Sequence, residues 1–256
     1  MSGVFRNILN KSIEDFKSNF SEFFKLGLWV YLIPLLAVNL FTLFAKDSLS
    51  GQVGILLLDV LVIFTSLFYS LFMIKRLNGE KGNLMIKSWK KLPSVILFNC
   101  VYALFLMLLF LLGIIPGIIF GIFWVFGFLI FVISDKSIFE SLKESKLAVK
   151  GKWWRTLWYL FLLGLIVLLF YFAIILVLYQ IAILFGATFI KYSIVIIGCF
   201  ISLLITMFSV NFTFRMYKDF IKNDKKKVVK EIVVKKVVAK KVLAKKSVAK
   251  KSVAKK

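Results

Sequence analysis

Long uncharged apolar runs alternate with short basic segments along this chain. Six runs reach the length of roughly twenty residues that about 30 Å of hydrocarbon requires of a helix. They predict spans at 26–45, 53–74, 92–115, 117–133, 156–180 and 191–214. The runs lack the polar face that a helix in a water-soluble core would show, which excludes a soluble bundle. The fourth run is short. The fifth has no clear end, since no charge falls between Arg155 and Lys191, so residues 181–190 either extend the helix or lie at the interface. Pro34 predicts a kink in the first span, which neighbouring helices in a bundle tolerate.

Spans one, three and five begin near residues 26, 92 and 156, and each follows a basic segment with helical apolar spacing. Phe5, Leu9, Ile13, Phe16, Phe20 and Phe23 form one stripe. Ile138, Leu142 and Val149, with Phe139 alongside, form another, while Lys136, Lys143, Lys146 and Lys150 lie off it. The middle copy, "NLMIKSWKKLPS", is shorter. Such helices either rest in the headgroup region with lysines toward anionic lipid, or cap the bundle from below. Trp89, Trp153 and Trp154 stand where an aromatic belt forms. The expected fold is all-α, a polytopic membrane bundle of about six spans with basic amphipathic interfacial helices and a disordered C-terminal tail. Its parts are an amphipathic segment at 1–25, a six-span domain at 26–214 and a lysine-rich tail at 215–256.

Composition supports the membrane reading: 61% of residues are hydrophobic and the mean hydropathy is +0.94. Charge adds the orientation. Of the 35 lysines and arginines, all but Lys46 and Lys191 fall on one side of the six spans, and an even number of spans puts both termini there. The positive-inside rule makes that side cytoplasmic and places the protein in the cell (inner) membrane. No small-residue cleavage pattern follows the first apolar run, so it reads as an uncleaved helix. The chain has no histidine, and its two cysteines, Cys100 and Cys199, sit inside apolar runs as small packing residues. No metal site or cofactor is expected.

The tail has its own physics. From residue 222 onward, fifteen lysines oppose Asp224 and Glu231. Lysine pairs recur every five residues: Lys235 and Lys236, Lys240 and Lys241, Lys245 and Lys246, Lys250 and Lys251, Lys255 and Lys256. Five residues advance a helix by about 500°, and an odd period alternates faces of a strand, so neither element gains an amphipathic side. Self-repulsion then favours an extended, disordered chain. It resembles the lysine–alanine–valine tails of linker-histone-like proteins. Held beside a membrane, it has three candidate partners: anionic lipid headgroups, nucleic acid, or a ribosome. No aromatic follows Phe220 to stack on bases, so sequence-specific reading of nucleic acid is not expected.

Residues 116–160 carry a Pro-Gly turn, a span, an acidic residue, the helix "SLKESKLAVKGK" and an aromatic-rich span. Pro116, Gly117, Asp135, Ser141, Leu142, Ser145, Lys150 and Gly151 occupy the marked places. This run resembles the membrane domain associated with glycerophosphoryl diester phosphodiesterases and its stand-alone bacterial relatives. The resemblance implies the six-span plan over 11–218. It implies no phosphodiesterase activity, because that chemistry belongs to a separate soluble barrel for which this chain leaves no room. The lysine tail is not part of the family pattern.

Candidate chemistry is sparse. Asp59, in "ILLLDVLVIF", is an ionisable residue inside a span and hence a functional candidate. It is open to protonation, to cation binding, or to pairing with Lys46 or Lys191. Asn39, Asn99 and Gln180 are polar candidates suited to interhelical hydrogen bonds of roughly 1 kcal/mol each. The glycines 113, 117, 121 and 127, with Pro116, suit a tight outer turn and close helix packing. A serine–histidine dyad and a histidine-ligated zinc site are impossible without histidine. An aspartyl dyad needs a second carboxylate beside Asp59. Asp135, Glu140 and Glu144 sit among lysines and suit surface ion pairs.

The expected protein is therefore a non-enzymatic membrane protein that organises membrane or envelope components. The alternatives are a small transporter or channel with a polar site near Asp59, and a membrane tether for nucleic acid. The topology has a direct test. Reporter fusions at Lys81, Lys146 and Lys230 should read cytoplasmic, and fusions at Ser48 and Ala187 external. A cytoplasmic signal at Ser48 would break the six-span plan.

Overall fold

A computed structural model describes residues 2–45, 49–134, 136–185 and 193–221. All regular structure among them is helical. α1 (Ser2–Gly27) continues through a π-helical turn at Leu28–Leu32 into α2 (Ile33–Ala45). α3 spans Leu49–Leu77, α4 Leu84–Leu112, α5 Ile114–Phe123, α6 Gly127–Ile133, α7 Ile138–Val149 and α8 Trp153–Phe185. α9 runs Ser193–Ile221. Six stretches are long and apolar enough to cross a membrane: α1–α2, α3, α4, α5–α6, α8 and α9. The protein is thus a multi-pass membrane protein. The tail from 222, with its lysine pairs, lies outside the described residues, as do Asp135, Lys46 and Lys191. Residues Met1–Met216 form one compact unit. Of the other, Tyr217–Lys256, the described part is the helical end of α9 at 217–221.

Pro34 disturbs the first span through the π turn. A proline has no N–H to donate, and its ring collides with the carbonyl four residues back. Immediately before it the backbone widens, and the Ile33 N–H bonds to the Leu28 carbonyl, five residues back. Such single π turns are how a helix absorbs a local misfit without breaking.

α1, α3 and α9 meet at a tight crossing. Phe23, Tyr69, Leu203 and Met207 are fully buried there, with Leu32, Phe72 and Cys199 around them. The Tyr69 hydroxyl donates to the Phe23 carbonyl at 2.9 Å, so this buried polar group is satisfied across helices. Gly27 makes the approach possible. A Cβ on it would lie 2.5 Å from Leu203 Cδ1 and 2.9 Å from Tyr69 Oη. Small residues at such contacts let membrane helices pack backbone to backbone.

The second centre is built on the short fourth span, which is broken. α4 and α5 are joined by a single residue, Gly113, whose φ of +145° suits only glycine. Pro116 stands in the first turn of α5, and a Cβ on Gly117 would lie 2.5 Å from Phe110 Cδ1. The helix then stops at Phe123 and restarts at Gly127. This break strands the Phe123 carbonyl and the Phe126 N–H. Ser145 of α7 serves both: its hydroxyl donates to Phe123 O at 2.8 Å and accepts from Phe126 N at 3.1 Å. Irregular backbone survives at membrane depth only where protein satisfies it.

α7 therefore lies along the broken span. Leu142 and Val149 are buried, and Leu142 Cδ2 would sit 2.8 Å from a Cβ on Gly127. Phe98 of α4 stacks on Phe131 of α6 at 4.9 Å between ring centroids. The apolar stripe of α1 is likewise turned onto protein: Phe5 meets Tyr159 and Phe212, and Phe16 meets Phe208. Both amphipathic helices thus cover the bundle with their apolar faces and leave lysines exposed. α8 extends helically to Phe185, so the fifth span continues through the first half of the uncharged stretch.

Gly27→Ala should lower the thermal unfolding midpoint in detergent, since overpacking costs about 1–3 kcal/mol. Gly3→Ala, where a Cβ meets nothing within 4 Å, should leave the midpoint nearly unchanged. Equal midpoints for the two variants would remove Gly27 from the crossing. Ser145→Ala should cost about 1–3 kcal/mol by stranding two buried backbone groups.

Candidate functional site

Two regions hold candidate functional side chains, at opposite ends of the spans. The first is the lysine-rich end, where carboxylates are consumed by structural pairs. Asp15 of α1 accepts from Nε and Nη2 of Arg215 in a two-pronged contact. The matched fork geometry of guanidinium and carboxylate is what favours arginine in such a pair. Glu22 pairs with Arg76 at 2.9 Å and Glu80 with the buried Lys75 at 3.2 Å. Glu144 pairs with Lys136. Glu140 closes a capping box at the start of α7: its side chain accepts from the Ser137 N–H, and the Ser137 hydroxyl accepts from the Glu140 N–H.

The backbone hydrogen bond from Ser137, then that from its side chain, hold the Glu140 carboxyl below its usual range, with Lys136 and Lys143 adding to this. A lowered carboxyl stabilises the fold above the unfolded value, and that contribution fades as pH falls through the folded one. Cations beyond the carboxylate supply find other partners. Lys91 donates to the Val132 carbonyl at 3.2 Å and lies over the Phe131 ring. Lys146 lies 5.9 Å from the ring centres of Phe120 and Phe123. These pairs leave most of the positive charge unmatched, and Lys143, Lys146 and Lys150 are exposed. Trp89 and Trp154 are exposed, and Trp153 packs edge-on against Trp154.

The second region is a groove between α2, α8 and α9 near their lysine-poor ends. Its volume is about 390 Å³. Leu35, Ile174, Ile175, Ile194, Val195 and Ile201 form its apolar wall, with Gly198 opening the α9 side. Asn39 reaches it from α2, its Nδ2 donating to Leu35 O at 2.7 Å and lying 3.8 Å from Cys199 Sγ. Tyr171 and Ser202 supply the other polar groups.

Of the intramembrane candidates, Asn39 alone lines this groove. Asp59 is exposed on the outer surface of α3, and no described residue offers it a hydrogen bond or ion pair. Asn99 bonds its own helix at Val95 O, 2.8 Å, and Gln180 is exposed on α8. No described contact joins any two of the four. Cys199 is buried as expected, whereas Cys100 faces outward from the bundle. An apolar run gives no hint of which helix side a small residue takes.

The motif residues play structural parts. Ser141 donates to Ser137 O at 2.9 Å, and Ser145 bridges the broken span. Lys150 caps α7, and Gly151 at φ +76° turns the chain into α8. Sequence reasoning missed Asn211, which is fully buried in the sixth span and donates to Met207 O at 2.7 Å. It also missed the Asp15–Arg215 pair. An acidic residue facing the apolar stripe of α1 and an arginine ending the last span were the available signals. No protein-family model matches the chain, and no curated protein or solved structure matches it.

Asp15→Ala should destabilise more than Glu22→Ala, because Asp15 is largely buried and Glu22 is exposed. Removing one partner of a buried pair costs about 3–5 kcal/mol, whereas an exposed pair is worth about 0–1 kcal/mol. Unfolding midpoints of the two variants check this, and the opposite order would count against the Asp15–Arg215 tie.

Proposed function

We propose that this is a non-enzymatic membrane protein that organises anionic components at the cytoplasmic leaflet of the cell membrane. The tail acts as a non-specific polycation. The observation that carries the reading is the charge pattern of the sequence: every lysine and arginine except Lys46 and Lys191 falls in segments that a count of six spans assigns to one side. Asp15, Glu22, Glu80 and Glu144 each pair with one lysine or arginine, so these four acids offset only four cations and the excess stays positive. Each lysine near an anionic surface is worth about 1 kcal/mol, and the tail is tethered beside one. Anionic lipid headgroups are therefore its first partner, with nucleic acid or a docked ribosome as competing polyanions. The likeness of residues 116–160 to the phosphodiesterase-associated membrane domain belongs to the same reading, as a scaffold without the barrel. The transporter alternative loses support, since Asp59 stands on the outside of α3 and apart from the groove.

The test uses the full chain in neutral nanodiscs, titrated with duplex DNA and with vesicles of anionic or zwitterionic lipid. Anionic vesicles should bind and zwitterionic ones should not. DNA affinity should fall linearly with salt on a log–log plot, with a slope of about −7 if about eight lysines engage phosphates. Scrambling residues 225–256 at constant composition should leave both unchanged. Loss of binding on scrambling would mean a specific partner and overturn the proposal.

A further inference from the structure

The groove between α2, α8 and α9 is built from described residues of three helices, and none of its lining residues is charged. No residue of the tail lines it, so it stands or falls separately from the polycation reading. Its volume of about 390 Å³ falls within the usual range of small-molecule sites. Ile175 and Ile194 are about half exposed at its edge, so it opens toward the lipid-facing surface.

Three polar atoms of its lining residues have no hydrogen bond among the described residues: Asn39 Oδ1, the Tyr171 hydroxyl and the Ser202 hydroxyl. The Asn39 amide nitrogen is already committed to Leu35 O. Polar groups left unpaired in an apolar medium cost several kcal/mol, so an occupant that completes them is favoured over a plain hydrocarbon chain. The absence of charge in the lining disfavours an ion or a charged headgroup.

The geometry points to one occupant: the acyl chain of a glycerolipid that retains a free glycerol hydroxyl. Its methylenes would lie along Leu35, Ile174, Ile175, Val195 and Ile201. Its ester carbonyl would accept from the Ser202 or Tyr171 hydroxyl. Its glycerol hydroxyl would donate to Asn39 Oδ1, which can only accept.

Gly198 provides the test. A Cβ there meets nothing within 4 Å, so the first atom of a side chain is accommodated, and Gly198→Leu extends that side chain toward the groove that Gly198 lines. Gly164 of α8 is equally open but does not line the groove, and Gly164→Leu serves as the matched control. The full chain in nanodiscs is photolysed with a monoacylglycerol carrying a diazirine on its acyl chain, and cross-links are mapped by mass spectrometry. Cross-links should concentrate on groove residues and fall about tenfold in Gly198→Leu but not in Gly164→Leu. Unfolding midpoints confirm that both variants fold; should Gly198→Leu fail to fold, Gly198→Ala is used in its place. Asn39→Leu should erase the preference for the monoacylglycerol over a fatty acid methyl ester of the same chain length, which lacks the hydroxyl. Even labelling of all lipid-facing helices, or an equal fall in both glycine variants, would overturn the site. An unchanged preference in Asn39→Leu would overturn the hydroxyl contact.

Discussion

Hydrocarbon offers no hydrogen bonds, so each departure from an unbroken helix in this protein has to be answered from within. The hydroxyl of Ser145 meets the largest such demand. One side-chain oxygen takes up both the carbonyl and the N–H that the gap between α5 and α6 releases. That contact draws α7 against the fourth span and brings Leu142 over Gly127. It also decides where α8 begins, because Gly151 turns the chain directly out of α7. The π turn before Pro34 is the same constraint met by backbone rearrangement alone.

Charge follows a complementary logic. Carboxylates near the lysine-rich end tie helices together, as Asp15 and Arg215 do for α1 and α9 and, more weakly because exposed, Glu22 and Arg76 for α1 and α3. Surplus lysines rest on aromatic faces and carbonyls, as Lys91 and Lys146 do, or stay exposed. The result separates a structural set of charges from a displayed set. The displayed set stays exposed, while the structural set is matched to Asp15, Glu22, Glu80 and Glu144.

Much of this was legible from residue order. Apolar run length gave the six spans, and the lysine pattern gave their two unlike ends. Pro34 marked the π turn, and Gly113 with Pro116 marked the tight turn. The break inside the fourth span was not legible, because "FGIFWVFGF" is apolar throughout and helix breaking there depends on a serine twenty-odd residues away. Which side of a helix faces lipid was equally hidden. A span apolar on all sides has no period to read, so Asp59 and Asn39 looked alike in sequence although one is exposed and the other lines a groove. Asn211 was hidden for the same reason.

α8 carries a consequence of its length. Past Arg155, its uncharged stretch from Thr156 to Val177 measures about 33 Å at 1.5 Å per residue. The hydrocarbon core is about 30 Å thick. Hydrophobic mismatch of that size is relieved by a tilt of roughly 25°, within the range that membrane helices adopt, or by local thickening of the bilayer. Because α8 also forms one wall of the groove, a change in bilayer thickness that alters its tilt alters the width of that opening. Lipid composition thereby acts on this protein mechanically, through the thickness of the solvent that surrounds it.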